Sequence, residues 1–530
     1  MKWRNERVKK LRGSLVLMLI MAMCIQLVPM NVFASEPMEE LANKTGYLPL
    51  ELEEVELTDE DVADAYTLEE QEQIGATYQA GVSSYESRYY YYQLSDSKKA
   101  LYDSMYYQCN QYLSTQQDAT TYNSSYGRTD YIECTGFSRD DLMEVVYLFT
   151  ISNPQFYFVR GTAAMTGTQG SRSFVALAIY ADYISGSARA NYTAQFMNKV
   201  NNWLNTINAQ GSEYKKIKAA HDIVCANVTY DNGSNIDKHQ SSATAVLTGN
   251  TVCAGYSQMF SLLCNAAGIE TVCVTSPEHE WNEVYLYGGW YVVDCTWDDL
   301  DDSNSWDYTY FCKSESAIDE GYHEPEAYIV AYRPGCYVDY IGKVSSYNGN
   351  TFYRESDESI RCYNKNGALI TNKFMFDGSY TYYMQADGSA MTDRLTYHPD
   401  GVHIIYFDTY GHEVFNNFQY CPSVGYTCYF DSQGYIYKDV ITFANNAVYY
   451  LDANGKMQNS GWFQFANGVD YGFANWNGTL NTSGFSYDPW GRIVFYHWNG
   501  MVARGLITDG AYYYSMDTTD GHYLGSFPVN

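Results

Sequence analysis

The stretch "TVCAGYSQMFSLLCNAAGIETVCVTSPEHEWNEVYLYGGWYVVDCTWDD", Thr251 to Asp299, sets a cysteine, a histidine and an aspartate into three differently built segments. Cys253 opens a helical pattern in which Met259, Leu262, Leu263 and Ala266 recur at helical spacing, and Gly268 stands where a C-cap glycine belongs. A thiol on the first turn of a helix faces unpaired N–H groups and the positive end of the dipole, which predicts a lowered pKa and a thiolate. The same N–H groups could hold an oxyanion. "IETVCVTS" and "HEWNEVYLYGGWYVVDCTW" read as strands, the second folded at "YGG" into a tight hairpin. His279 begins one strand of that hairpin and Asp294 ends the other, so both fall near one end of the ladder. An aspartate there can accept from one imidazole nitrogen while the other faces the thiol, as nucleophilic catalysis needs. Cys264, Cys273 and Cys295, on the same elements, read as small buried hydrophobes.

Upstream, "EYKKIKAAHDIVCANVTYD" puts Ile217, Ala220, His221, Val224 and Val228 on one helical face, so His221 reads as a core histidine. Residues 76–209 alternate helical tracts, such as "LSDSKKALYDSMYYQCNQYL" and "YTAQFMNKVNNWLNTI", with the strand-like "SFVALAIYADY", and read as a helix-rich support. In the first tract Leu101, Met105, Cys109 and Leu113 mark one apolar helix face behind Ser95. Residues 35–75 are dense in acids and poor in aromatics, which predicts a disordered or loosely helical linker. Residues 1–34, basic, then apolar, then ending in small residues at Ala34, read as a secretory signal peptide.

Beyond Gly349 the chain turns to short aromatic strands broken by Gly and Asn or Asp. Glycines at 367, 388, 411, 434, 455, 478, 500 and 521 recur every 21 to 23 residues, a period that predicts a repeat array over 349–530. Each hairpin of such an array buries its face by stacking on the next.

At 530 residues the chain is too long for one core, and the 46% apolar content suffices for several. With 62 acidic against 32 basic side chains and no basic stripe after the signal, nucleic acid is excluded as a partner. The cysteine spacings show neither a compact disulfide framework nor a CxxC metal pair; Cys421 and Cys428 could pair within one repeat.

The motifs "VCAGYSQMFSLLCNAAGI", "HEWNEV" and "WYVVDCTW" together resemble the transglutaminase-like superfamily in its bacterial secreted branch, over roughly Tyr214 to Tyr322. The resemblance implies an α+β, papain-like catalytic domain, taken as residues 210–345, with Cys253 as nucleophile, His279 as general base and acid, and Asp294 as the group that orients it. Trp281 and Trp297 fit the superfamily's aromatic positions beside the histidine and aspartate. His239 and Gln240, in "HQSSATAVLTGN", could reach the thiol or the oxyanion, and Gln240 is taken with the two tryptophans as substrate-binding. No metal and no cofactor is implied, since calcium-loop acids have no evident counterpart and "WDDLDDSNSWD" reads as a solvated loop. The repeats resemble the aromatic, glycine-anchored cell-wall-binding repeats of Gram-positive surface proteins, with "YYLDANGKMQNSGWFQFANGVDYGF" the nearest unit and tyrosine in place of most tryptophans.

The resulting expectation is a secreted, cell-wall-associated cysteine enzyme of a Gram-positive bacterium, cleaving peptide or amide bonds through a thioester. Its repeats would bind wall polysaccharide or teichoic acid, and no membrane contact is expected once the signal is removed. The alternatives are a cross-linking enzyme that transfers the acyl group to an amine, and an adhesin without catalysis.

Overall fold

In the computed structural model, residues 48–77, 84–231, 240–300, 305–318 and 323–529 are described. The signal-like segment 1–34, the first part of the acidic stretch and His239 lie outside them. The chain divides into two compact units, the first ending at Tyr340 and the second beginning at Ile341. Among the described residues no helix is long and apolar enough to cross a membrane.

The centre of the first unit follows the predicted pattern. Helix α1 (Glu213–Asn227) starts at Ser212, whose side chain accepts from the Lys215 N–H, and it buries Ile217, Ala220, His221 and Val224. Helix α2 (Cys253–Ala266) ends at Gly268, where φ is +83°. There the Ile269 N–H bonds the Cys264 carbonyl at 2.9 Å and the Gly268 N–H bonds the Asn265 carbonyl at 2.9 Å, a Schellman ending that satisfies the last carbonyls. Strands β1 (Thr271–Ser276), β2 (His279–Leu286), β3 (Gly289–Val293) and β4 (Phe311–Lys313) form one antiparallel sheet in the order β4-β3-β2-β1. A short helix α3 (Cys295–Asp298) follows β3. Helix α2 is tied to the sheet by polar side chains: Ser257 donates to the Trp281 carbonyl at 3.0 Å, and Asn282 donates to the Ser257 carbonyl at 3.1 Å.

The region before α1 is more than helices. Its long helices (Asp96–Ser114, Arg139–Ser152 and Gly186–Asn208) surround a six-stranded sheet built on the pair Val159–Gln169 and Arg172–Tyr180. This support grips β1 directly, for Tyr90 donates to the Cys273 carbonyl at 2.9 Å and Ser87 to the Glu270 carboxylate at 2.8 Å.

The acidic stretch departs from its predicted linker character. Glu51–Glu54 is a strand paired in parallel with Val159–Gln169, with Leu52 opposite Ala164 and buried. Val55, Leu57, Val62 and Ala65 then pack on the cluster of Tyr126, Tyr131, Met165 and Phe174. The acids describe only the outer side of this segment, whereas a few spaced apolar residues dock it on the sheet.

The second unit is a succession of two-stranded antiparallel hairpins, with three-stranded sheets at its two ends. Every one of the eight periodic glycines has φ between +76° and +87°. A second positive-φ position, occupied by Asn372, Asp393, Asn416, Asp439, Gly461, Ser483 and Gly505, recurs with the same period. Hydrogen bonds such as Met457 N–H to the Thr427 carbonyl and Leu480 N–H to the Val448 carbonyl, both 2.8 Å, link each hairpin to its predecessor. Cys421 and Cys428 are both buried free thiols.

Candidate active site

Helix α2 begins at Cys253 behind Val252, which supplies no side-chain cap, so the first-turn N–H groups are left to the site. The approach to this turn is tight: a Cβ on Gly255 would stand 2.0 Å from Thr251 Oγ1. The Cys253 sulfur lies beside the backbone N–H groups of Glu280 and Ala254, both of which favour a thiolate. Burial is the larger effect, and it pushes the thiol pKa well above its ordinary value, with the charges of Glu280 and Asp294 adding to the rise. The lowered pKa expected from the helix start is therefore corrected. A helix terminus contributes roughly 0.3–1 kcal/mol, and it is outweighed by desolvation of a residue with 0% exposure. Tyr230 is among the side chains that pack over Cys253 and Ala254.

His279 and Asp294 meet as the hairpin predicts. The register pairs Asn282 with Val293, which leaves His279 and Asp294 together just past the end of the ladder, with His279 Nε2 2.7 Å from Asp294 Oδ2. Asp294 also caps α3, its Oδ1 accepting from the Thr296 and Trp297 N–H groups at 3.0 and 3.1 Å. A second imidazole completes its shell, with His323 Nε2 2.9 Å from the same Oδ2. Burial alone would raise the Asp294 pKa, but the charges and hydrogen bonds of His279 and His323 outweigh it and hold the carboxyl well below the usual range. An ionised carboxylate only accepts, so both rings present Nε2–H to it, and Nδ1 is the acceptor nitrogen of a neutral His279.

Sequence reasoning missed His323 and Glu280. His323 follows the last strand of the sheet with no local pattern to mark it; its ring stands edge-on to Trp281 and Trp297 at 4.9 and 5.2 Å and stacks on Tyr310 at 5.9 Å. Glu280, adjoining His279, is wholly buried, and burial pushes its pKa up to about 8 against the pull of Ser257 and Cys273. A neutral carboxyl thus lies beside the thiol at neutral pH.

Both tryptophans singled out in the sequence are at the site: Trp281 stacks on His279 at 6.1 Å and 15°, and Trp297 lies 5.7 Å from it. Gln240 has a different engagement. Its Oε1 accepts from the Leu48 N–H at 2.8 Å, its buried Nε2 has no hydrogen-bond partner among the described residues, and the residue lines a small cavity with Phe149, Asn153 and Gln258. The acidic stretch after Trp297 begins with Asp298, which is fully buried rather than solvated.

In the repeats, Trp476, Trp490 and Trp498 are 88%, 77% and 65% exposed, and Trp498 stacks on the exposed Phe443 at 5.6 Å. Tyr449 and Tyr450 are buried. Phe418 packs between Tyr449 and Tyr429 at 4.6 and 4.8 Å.

Residues 201–295 match the profile of the Transglutaminase-like superfamily. The kyphoscoliosis peptidases of Mus musculus and Homo sapiens are 31% and 29% identical over 107 residues, and the match covers 16% of this chain and 16% of each relative's length. Among solved structures, the choline-binding domain of CbpL from Streptococcus pneumoniae matches at 20% identity over 35% of this chain and 97% of its own, with a TM-score of 0.25. Choline binding protein F from Streptococcus pneumoniae matches at 24% identity over 37% of this chain and 60% of its own, also with a TM-score of 0.25.

Proposed function

From the transglutaminase-like domain that the chain carries over residues 201–295, we propose that it is a thiol-dependent acyl-transfer enzyme acting on peptide or amide carbonyls. The observation that carries this reading is the 2.7 Å contact of His279 with a buried, ionised Asp294, together with a first-turn thiol of α2 that meets the backbone N–H of Glu280, the residue after His279. In the reaction, His279 Nδ1 takes the Cys253 proton as sulfur adds to the carbonyl carbon, while Asp294 stabilises the imidazolium through Nε2–H. The backbone N–H groups of Ala254 and Glu280, beside the sulfur, are positioned to receive the developing oxyanion. Collapse expels the amine, which takes the proton from His279, and leaves a thioester; water then adds, activated by the same imidazole, and releases the acid. Trp281 and Trp297 fix the ring and line the acyl site.

The full burial of Cys253 favours a second reading, a scaffold that displays the domain without turning over. Incubation with a casein-like substrate and a fluorescent primary amine separates the outcomes. New peptide termini without label support hydrolysis, label in the substrate means amine transfer, and neither product, in a chain whose Cys253 also resists alkylation, supports the scaffold.

The repeat unit is proposed to carry the enzyme to a cell wall. The exposed Trp476, Trp490 and Trp498 support stacking on sugar rings or caging of a small cation such as a teichoic-acid substituent. Secretion, with removal of residues 1–34, belongs to the same proposal. Binding of the chain to isolated Gram-positive walls, undiminished by high salt, tests it.

A further inference from the structure

A second constellation of chemistry-bearing side chains lies behind Asp294 and takes no part in the acyl-transfer reading. On α1, His221 and Cys225 stand one turn apart on the same face; on α3, Cys295 and Asp298 do the same. All four residues are buried, between 0% and 4% exposed. His221 Nε2, Cys225 Sγ and Cys295 Sγ lie within 4.8 Å of one another. His221 Nε2 is 3.8 Å from Cys225 Sγ and 3.1 Å from Asp298 Oδ2. In a tetrahedral zinc site, with Zn–S near 2.3 Å and Zn–N near 2.0 Å, ligand atoms stand about 3.5 to 3.8 Å apart. The two gaps from His221 Nε2 differ from that by tenths of an ångström, the Cys295 sulfur lies within 4.8 Å, and Asp298 touches the cluster through His221 alone.

The surroundings are those of a metal ligand as well. His221 Nδ1 faces Asp222 Oδ1 at 3.3 Å, and that carboxylate is itself held by Trp306 Nε1 at 2.9 Å, Tyr308 at 2.9 Å and Lys218 Nζ at 2.7 Å. A carboxylate that receives the far N–H of an imidazole and is anchored in turn is how metal-binding histidines are oriented. Asp298 Oδ1 is committed to the Tyr310 N–H at 2.8 Å, which turns Oδ2 toward the cluster. A simple buried ion pair between His221 and Asp298 would call for neither thiol, whereas two thiols at this distance make the set soft and selective for a thiophilic ion.

We propose that His221, Cys225 and Cys295, with Asp298 drawn in from its contact with His221 as the fourth ligand, form a structural site for a divalent thiophilic cation, zinc in the first instance, that clamps α1 to the segment following Asp294. Binding replaces the two S–H bonds with two metal–sulfur bonds and releases two protons to solvent; no electron is transferred. The site is independent of the proposed acyl transfer, because Cys253 and His279 do not belong to it.

The test uses the full chain carrying Cys253→Ala, reduced and freed of metal, titrated with cobalt(II) and then zinc(II). Expected is one cobalt per chain with a thiolate-to-cobalt charge-transfer band, bleached by stoichiometric zinc, and a rise in melting temperature on loading. Cys225→Ser and Cys295→Ser should each weaken the band, since one thiolate remains, and the double variant should abolish it, while Asp222→Asn should keep it with affinity lowered about 10- to 100-fold. Absence of a thiolate band in the folded, reduced parent overturns the proposal, and since this needs no serine variant it stands even if those fail to fold. A band that survives at full intensity in the folded Cys225→Ser, Cys295→Ser double variant also overturns it, assigning the metal to another pair such as Cys421 and Cys428. So does a Cys225–Cys295 disulfide found by mass mapping that re-forms in preference to zinc loading.

Discussion

His279 and His323 present their Nε2 atoms to the same oxygen of Asp294, at 2.7 and 2.9 Å. One aspartate therefore orients two imidazoles, that of His279, packed against Trp281 and Trp297, and that of His323, enclosed by Trp281, Trp297 and Tyr310. His279→Ala should lower kcat/KM by about 10²- to 10⁴-fold, the usual span for a general base. Asp294→Asn should cost on the order of 10⁴-fold, because the neutral amide no longer selects the Nε2–H tautomer. His323→Ala removes only a positioning contact, and a loss of about tenfold is expected, as for groups that orient a reacting side chain. Its distinctive readout is the pH profile: with one donor fewer, the Asp294 pKa rises and the acid limb of kcat/KM moves to higher pH. An unmoved limb would reduce His323 to packing.

The same carboxylate links the site to acid stability. The folded pKa of Asp294 lies below its reference value of 3.8, so the stability it contributes is present above that value and is lost as pH falls below it. Acid unfolding monitored by tryptophan fluorescence should therefore begin at higher pH in His323→Ala than in the parent chain.

Glu280 acts in the opposite sense. Its pKa rises on folding from 4.5 to about 8, so between those values the folded state holds a proton that the unfolded chain has released. Stability falls as pH rises through that window. A tenfold change in proton affinity corresponds to about 1.4 kcal/mol, so Glu280→Gln, which keeps the shape without the charge, should gain on the order of 3 kcal/mol over the parent between pH 5 and pH 7.5. Urea midpoints at the two pH values measure it. Parallel pH dependence in the two chains would mean that Glu280 is ionised in the fold.

Cys253 has no accessible surface, and Tyr230 packs on it. In the native chain, alkylation of Cys253 should be slow at neutral pH, governed by opening of this cover rather than by thiolate reactivity. Tyr230→Ala should accelerate labelling by about tenfold or more, equivalent to roughly 1.4 kcal/mol less resistance to opening. Mass spectrometry of labelled peptides against time distinguishes Cys253 from Cys264, which is equally buried and should not respond.

Residues 341–530 form a compact unit with its own hairpin stack, and the fragment should fold cooperatively by itself. Trp498→Ala, which strips one face of the exposed Phe443 pair, should weaken binding to Gram-positive walls by about 3- to 10-fold, the worth of one aromatic contact. The loss should be equal in low and high salt. A fragment that folds but ignores walls would leave the array a spacer.

How much of this was legible beforehand depends on the range of the forces involved. Helix α2 with its start at Cys253 and its glycine ending, the Tyr287–Gly288 hairpin that brings His279 to Asp294, and the period of the repeat glycines all follow from residues within one or two turns of each other. Periodicity and positive-φ turns are local properties, and the sequence by itself determined them. Burial is not local. Desolvation of the Cys253 thiol sums over side chains from every element that covers it, and it reversed the pKa direction that the helix start alone predicts. The parallel pairing of Glu51–Glu54 with Val159–Gln169, the arrival of His323 at Asp294, and the meeting of Cys225 with Cys295 all join residues far apart in the chain. Contacts of that kind carry no spacing to be read, because the distance between such residues is set by packing of whole elements, which only the tertiary structure decided.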